Sequence, residues 1–168
     1  MNQYDGYALA LEHLIERGHK RIANAFGRPS SINTHNRRLA YEQIMTKYNL
    51  PVIEKWYYSK IYSIRDGEQL LRSLMDETDR PDAILCSNDL VAACILNEAR
   101  RQKLDVPGDL AIVGFDNSEL SQTLGITTIL NPISSQAENA FLLLAPVLLG
   151  RDMELQPLSF TLVERETT

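Results

Sequence analysis

Short apolar runs recur along the chain about every 30 residues, each followed by an amphipathic stretch, and this rhythm is what most narrows the folds open to it. Residues 21–26, 55–58, 82–86 and 110–114 read as strands. Between them the apolar positions step by three and four. Tyr7, Leu11, Leu14 and Ile15 mark a helix closed by Gly18, and Tyr41, Ile44, Met45 and Tyr48 mark a second. Leu70, Leu71, Leu74 and Met75 continue a helix opened by a Ser63/Asp66 capping box, and Val91, Ala92, Ile95, Leu96 and Ala99 line another that starts at Asp89. Val106-Pro107-Gly108-Asp109 predicts a tight turn with Gly108 at positive φ. Strands joined by single helices cross over right-handedly, which predicts a doubly wound, mostly parallel α/β sheet with helices on both faces. After residue 118 the rhythm breaks. A strand is expected at 126–130, a helix over 140–149 capped by Ser135 with Glu138, a last strand at 158–163, and a mobile tail beyond Glu164.

A chain of 168 residues, 44% hydrophobic and 23% charged, suits one ordinary globular domain and excludes a disordered one. The longest apolar run, 140–149, contains Pro146 and is about half of what a membrane span needs. Residues 1–5 show no basic start followed by an apolar stretch, so a cytoplasmic location is expected. Cys86 and Cys94 belong to no CxxC pair and read as reduced core thiols. With 17 basic against 22 acidic side chains the net charge is −5, and the basic residues fall in small separate clusters. Such a chain is a poor nucleic-acid binder by itself.

The usual catalytic motifs are missing. Neither GxGxxG nor GxxxxGK[ST] follows the first strand, GxSxG does not occur, and His13, His19 and His35 lack metal-ligand spacing. No catalytic residue, metal or cofactor is expected. A doubly wound sheet still offers a crevice at the carboxyl ends of its strands. Polar residues gather there: Ser30, Ser31, Asn33 and Arg37 after the first strand, Ser87, Asn88 and Asp89 after the third, Asp116, Asn117 and Ser118 after the fourth. Together they suit a polyhydroxylated or nucleoside-like ligand. Helix capping explains Ser87, Asn88 and Asp89 equally well.

Residues 81–92 and 106–117 resemble the two strongest signatures of the LacI/GalR (lactose-repressor/galactose-repressor) family, and residues 13–23, Thr127-Thr128-Ile129 and 162–167 match its other blocks in order and spacing. The resemblance implies a periplasmic-binding-protein-like core of type I: two similar α/β subdomains with a small effector in the cleft between them. It also implies homodimerisation, and contact with DNA only through an N-terminal helix-turn-helix domain that this chain would lack. No membrane is involved. On this reading the fold is a truncated one. Residues 1–118 and 157–168 would form the C-terminal effector-binding subdomain, and 119–156 a crossover segment belonging to the first subdomain. Ala140, Phe141, Leu144, Ala145 and Leu148 would then form an apolar stripe, either folded back on this subdomain or buried against a second copy, with Pro146 kinking or ending its helix.

The same resemblance assigns roles. Arg37, four residues before Tyr41, stands at the effector-binding arginine; Tyr62, at an aromatic residue that stacks on ligand; Asn88 and Asp89, at the Asn-Asp signature; and Asp116, at the acidic residue after Gly114-Phe115. Asn131 stands where a glutamine is usual. Ala40, Cys94 and Ala137 replace glycines and Leu124 replaces a proline. The function implied is effector sensing, of a sugar-like molecule, within a DNA-binding transcription regulator. A fragment of a periplasmic-type sugar-binding protein and a stand-alone α/β enzyme are the alternatives.

Overall fold

Most of the helices open on a polar side chain that closes the first turn. In the computed structural model, which describes residues 2–61, 63–150 and 154–168, α1 (Gln3–Glu16) starts at Asn2 and α2 (Ile32–Lys47) at Ser31, each side chain accepting a backbone N–H two residues on. The Ser63/Asp66 capping box opens α3 (Ile64–Met75), and Asn88 caps α4 (Asp89–Arg101) by accepting Val91 N–H at 2.9 Å. Two further helices complete the set, α5 (Glu119–Leu124) and α6 (Ile133–Leu149).

The strands are β1 (Ile22–Ala25), β2 (Tyr57–Tyr58), β3 (Ala83–Cys86), β4 (Ala111–Asp116), β5 (Thr127–Leu130) and β6 (Thr161–Val163). They form one sheet in the order β2-β1-β3-β4-β5-β6, parallel throughout except for the antiparallel β5–β6 pair. Every residue of β1 and β3 is buried, as expected when both faces are covered. On one face Tyr7, Leu11 and Leu14 of α1 and Tyr41 and Met45 of α2 pack with Phe115. On the other, Leu71 and Leu74 of α3 and Ile95 and Leu96 of α4 pack with Trp56 and Ile112. Burial of such side chains contributes about 1.5–3 kcal/mol each, so both layers hold the sheet. Cys86 and Cys94 are free and buried. Where α3 meets α4, a Cβ at Gly67 would lie 2.9 Å from Cβ of Cys94, so the bulk gained on α4 is accommodated by the bare backbone of α3. Among the described residues no helix is long and apolar enough to cross a membrane.

Several expectations are corrected. The strand after residue 118 does not depart for another subdomain: β5 pairs with β4 from Val113↔Thr127 to Asp116↔Leu130 and extends this sheet. The tail is not loose. Thr167 is 2% exposed, its hydroxyl donates to Ile112 O at 2.6 Å and accepts Thr127 N–H at 3.0 Å, and the Arg165 guanidinium donates to Ile126 O and to Asn117 Oδ1. His13 is buried as well, with its Nε2 2.9 Å from the Thr168 hydroxyl. Gly108 lies outside the left-handed region; the turn is closed instead by Asp109, whose carboxylate accepts Asp105 N–H at 2.9 Å. A turn of 3-10 helix, Glu54–Trp56, takes the first half of the second predicted strand and leaves Tyr57–Tyr58 as β2. Helix α6 begins at Ile133 rather than beyond Ser135, runs through Pro146, and stops at Gly150 with φ 65°. Its Phe141 and Leu144 are each 56% exposed, so the stripe is not folded back on this sheet. Ala145 and Leu148 side chains, like Tyr62, lie outside the described residues.

Candidate ligand-binding site

At the carboxyl ends of β1, β3, β4 and β5 a cavity of about 390 Å³ opens between the loop after β1 and the start of α4. Arg37, Asn88, Asp116 and Asn131 all line it, with Gln3 and Arg28. The parallel order explains the convergence, because each strand delivers its following loop to the same edge.

Arg37 projects from α2 and is only 8% exposed. Its guanidinium lies 4.1 Å from the centroid of the Phe115 ring. Nη1 donates to Ser87 O at 2.7 Å, while Nε and Nη2 donate to Gln3 Oε1 at 3.2 and 2.6 Å. Burial pulls its pKa down, against the opposing pull of Tyr7 and Asp116. Asp116 closes β4 at φ 105°, followed by Asn117 at φ 55°. Such backbone costs about 1–3 kcal/mol per residue without glycine. Flanking bonds hold it: Ser118 N–H to Asp89 at 2.6 Å and Arg165 to Asn117 Oδ1 at 2.6 Å. Burial pushes the Asp116 carboxyl up, the Asn131 amide and Arg37 oppose this, and Asp89 adds to it. Asn131 donates to Asp116 Oδ1 at 3.3 Å and accepts from Gln136 of α6 at 2.9 Å. Asn88 both caps α4 and faces the cavity, so the two readings of that residue are compatible.

Asp89 stands apart from the cavity wall. It is 2% exposed, and its carboxylate is occupied by Ser118 N–H and the Thr128 hydroxyl. Asn117 and Ser118 likewise serve the loop rather than the cavity. Gln3 and Arg28 were not singled out by the sequence. Gln3 meets Arg37 across 34 residues, and no local spacing announces such a pair. The arrangement offers guanidinium and amide donors around a carboxylate acceptor.

A sheet of this order with such a cavity defines a periplasmic-binding-protein-like ligand domain, and a family profile described as "Periplasmic binding protein-like domain" matches residues 11–168. The chain is 35% identical over 163 residues to the uncharacterized HTH-type transcriptional regulator YkvZ of Bacillus subtilis, covering 97% of this chain and 51% of the relative. It is 33% identical over 144 residues to the HTH-type transcriptional repressor CytR of Escherichia coli, covering 84% and 42%. A solved LacI family transcriptional regulator from Lactobacillus casei, with bound glucose, matches at 25% identity with a TM-score of 0.88, over 100% of this chain and 63% of that one. The chain belongs to this domain family as it occurs in LacI/GalR-type transcription regulators. It spans about half the length of the curated relatives it matches.

Proposed function

We propose that the chain is the effector-sensing part of a DNA-binding transcription regulator and that the cavity under Arg37 and Asp116 takes a small polyhydroxylated molecule, sugar-like in chemistry. The observation that carries this reading is the convergence of Arg37, Asn88, Asp116 and Asn131 on one cavity, where paired donors and an acceptor match the alternating donors and acceptors of neighbouring hydroxyls. The glucose bound by the Lactobacillus casei relative is of the same chemistry. The site binds and does not turn over its ligand. Asp89 supports it indirectly by holding the loop after β4.

Helix α6, with Phe141, Leu143 and Leu144 exposed, is the element that reaches toward a second subdomain of a longer protein, which dimerises and contacts DNA through a separate domain. Effector shifts that protein only if its affinity differs between the two subdomain orientations. The test is a thermal-shift and calorimetric panel of monosaccharides, disaccharides and nucleosides on wild type, R37A, R37K and D116N. A ligand that stabilises wild type and loses about tenfold or more in affinity with D116N and R37K supports the assignment. A ligand bound equally by all four variants places the site elsewhere.

A further inference from the structure

Several exposed arginines of this protein are matched with carboxylates: Arg38 with Glu42, Arg72 with Glu98, Arg101 with Glu68. Arg37, far more buried than any of these, has no carboxylate ion pair among the described residues. Its three hydrogen bonds go to two acceptors, the Gln3 amide oxygen and the Ser87 carbonyl, both neutral, and its face rests on the Phe115 ring. A buried cation with no carboxylate in direct contact is costly, the Asp116 charge acting on it only through space, and a glutamate in place of Gln3 would relieve that cost with the same two-pronged geometry. Gln3 accepts from Nε and Nη2 and orients the guanidinium, yet leaves its charge intact. With Nε, Nη1 and Nη2 each donating once, one further N–H remains on each of the two Nη atoms. Arg28 adds a second cation to the cavity wall, and Asp116 is the one carboxylate among its described lining residues, with Asp89 behind it bonded to Thr128 and Ser118.

We propose that Gln3 is a positioning and specificity-determining residue that holds Arg37 as an unpaired cation, and that the effector therefore carries an oxyanion, a carboxylate or a phosphate ester, on its hydroxylated body. This rests on the reading of the cavity as the effector site. The oxyanion meets the two remaining Nη donors of Arg37, and hydroxyls of the same molecule meet Asp116 and the amides of Asn88 and Asn131. Gln3 acts through Arg37, so its substitution changes which ligands are preferred more than whether the site forms.

Calorimetric titration with D-glucose, D-gluconate and D-glucose 6-phosphate, and with inorganic phosphate as the minimal probe, tests this on wild type, Q3E and Q3A. Wild type is expected to bind glucose 6-phosphate or gluconate at least about tenfold more tightly than glucose, and to bind phosphate in a salt-sensitive way. Q3E, whose carboxylate neutralises Arg37, is expected to lose that preference while melting no lower than wild type. Q3A is expected to keep the sign of the preference with weaker binding, which separates charge from folding. Glucose binding as tightly as its charged analogues, unchanged in Q3E, overturns the charge assignment and leaves the effector cavity standing. Failure of every anionic probe to bind wild type also overturns it, and the sugar and nucleoside panel then decides whether the cavity itself is a site.

Discussion

The Asp89 carboxylate accepts the Thr128 hydroxyl at 2.6 Å and so ties the first turn of α4 to β5, through a space that only a glycine at position 114 leaves open. A Cβ at Gly114 would lie 2.3 Å from Asp89 Oδ1. Removing the carboxylate leaves a buried hydroxyl and the Ser118 N–H without their acceptor. Asp89→Ala is therefore expected to destabilise the fold by about 2–4 kcal/mol in urea denaturation, and Gly114→Ala by a comparable amount. A loss below about 0.5 kcal/mol for both would show the tie to be dispensable.

Gly67 and Cys94 make a coupled pair. Gly67→Ala should cost about 1–2 kcal/mol from overpacking against the Cys94 side chain, in spite of the better helix propensity of alanine. In a Cys94→Gly background the same substitution should be neutral or stabilising. Equal effects in both backgrounds, read from a double-mutant cycle, would refute the contact.

Thr167 replaces a strand partner at the sheet's amino-terminal edge. Thr167→Val keeps shape and removes the hydroxyl that donates to Ile112 O and accepts from Thr127 N–H. About 1–3 kcal/mol of stability should go with it. Wild type should also resist carboxypeptidase trimming at Thr168, and rapid trimming under native conditions would contradict the docked tail.

Burial, and secondarily the Arg17 charge, lower the pKa of His13 from its ordinary value of 6.5, with Glu164 and Glu16 opposing and His19 assisting. The folded state thus binds the proton less readily than the unfolded chain. The sign follows: this contribution is fully present above about pH 6.5 and is lost as pH falls toward the folded value. Asp82, Glu77 and Glu98 are also held below their ordinary values, but these lie at 3.8 to 4.5, so their loss begins at more acidic pH. Stability measured between pH 7 and 5 should fall for wild type and stay flatter for His13→Asn. Parallel profiles would exclude His13 as the source.

Much of the architecture and part of the site were legible in the sequence. Apolar spacing marked α1 through α4 because a helix buries one stripe every three to four residues, whatever it packs against. The Ser63/Asp66 box was readable because both partners lie within one turn. Arg37, Asn88 and Asp116 were legible as residues of that edge because a parallel sheet sends every strand's carboxyl end the same way, whereas Asn131 was marked only by the family resemblance.

What spacing could not supply was pairing across the fold. Asp89, expected at the ligand, reaches instead across 39 residues to Thr128, and Thr167 reaches across 55 to Ile112. Whether β5 stays in this sheet depends on its ladder with β4, which a run of β-branched residues does not specify. Local order along the chain was determined by the sequence alone, because side-chain periodicity and capping involve neighbours within a turn. Which polar groups are spent on the scaffold and which remain for a ligand was decided only by the tertiary structure, because a buried donor or acceptor takes whichever partner the packed sheet brings within about 3 Å.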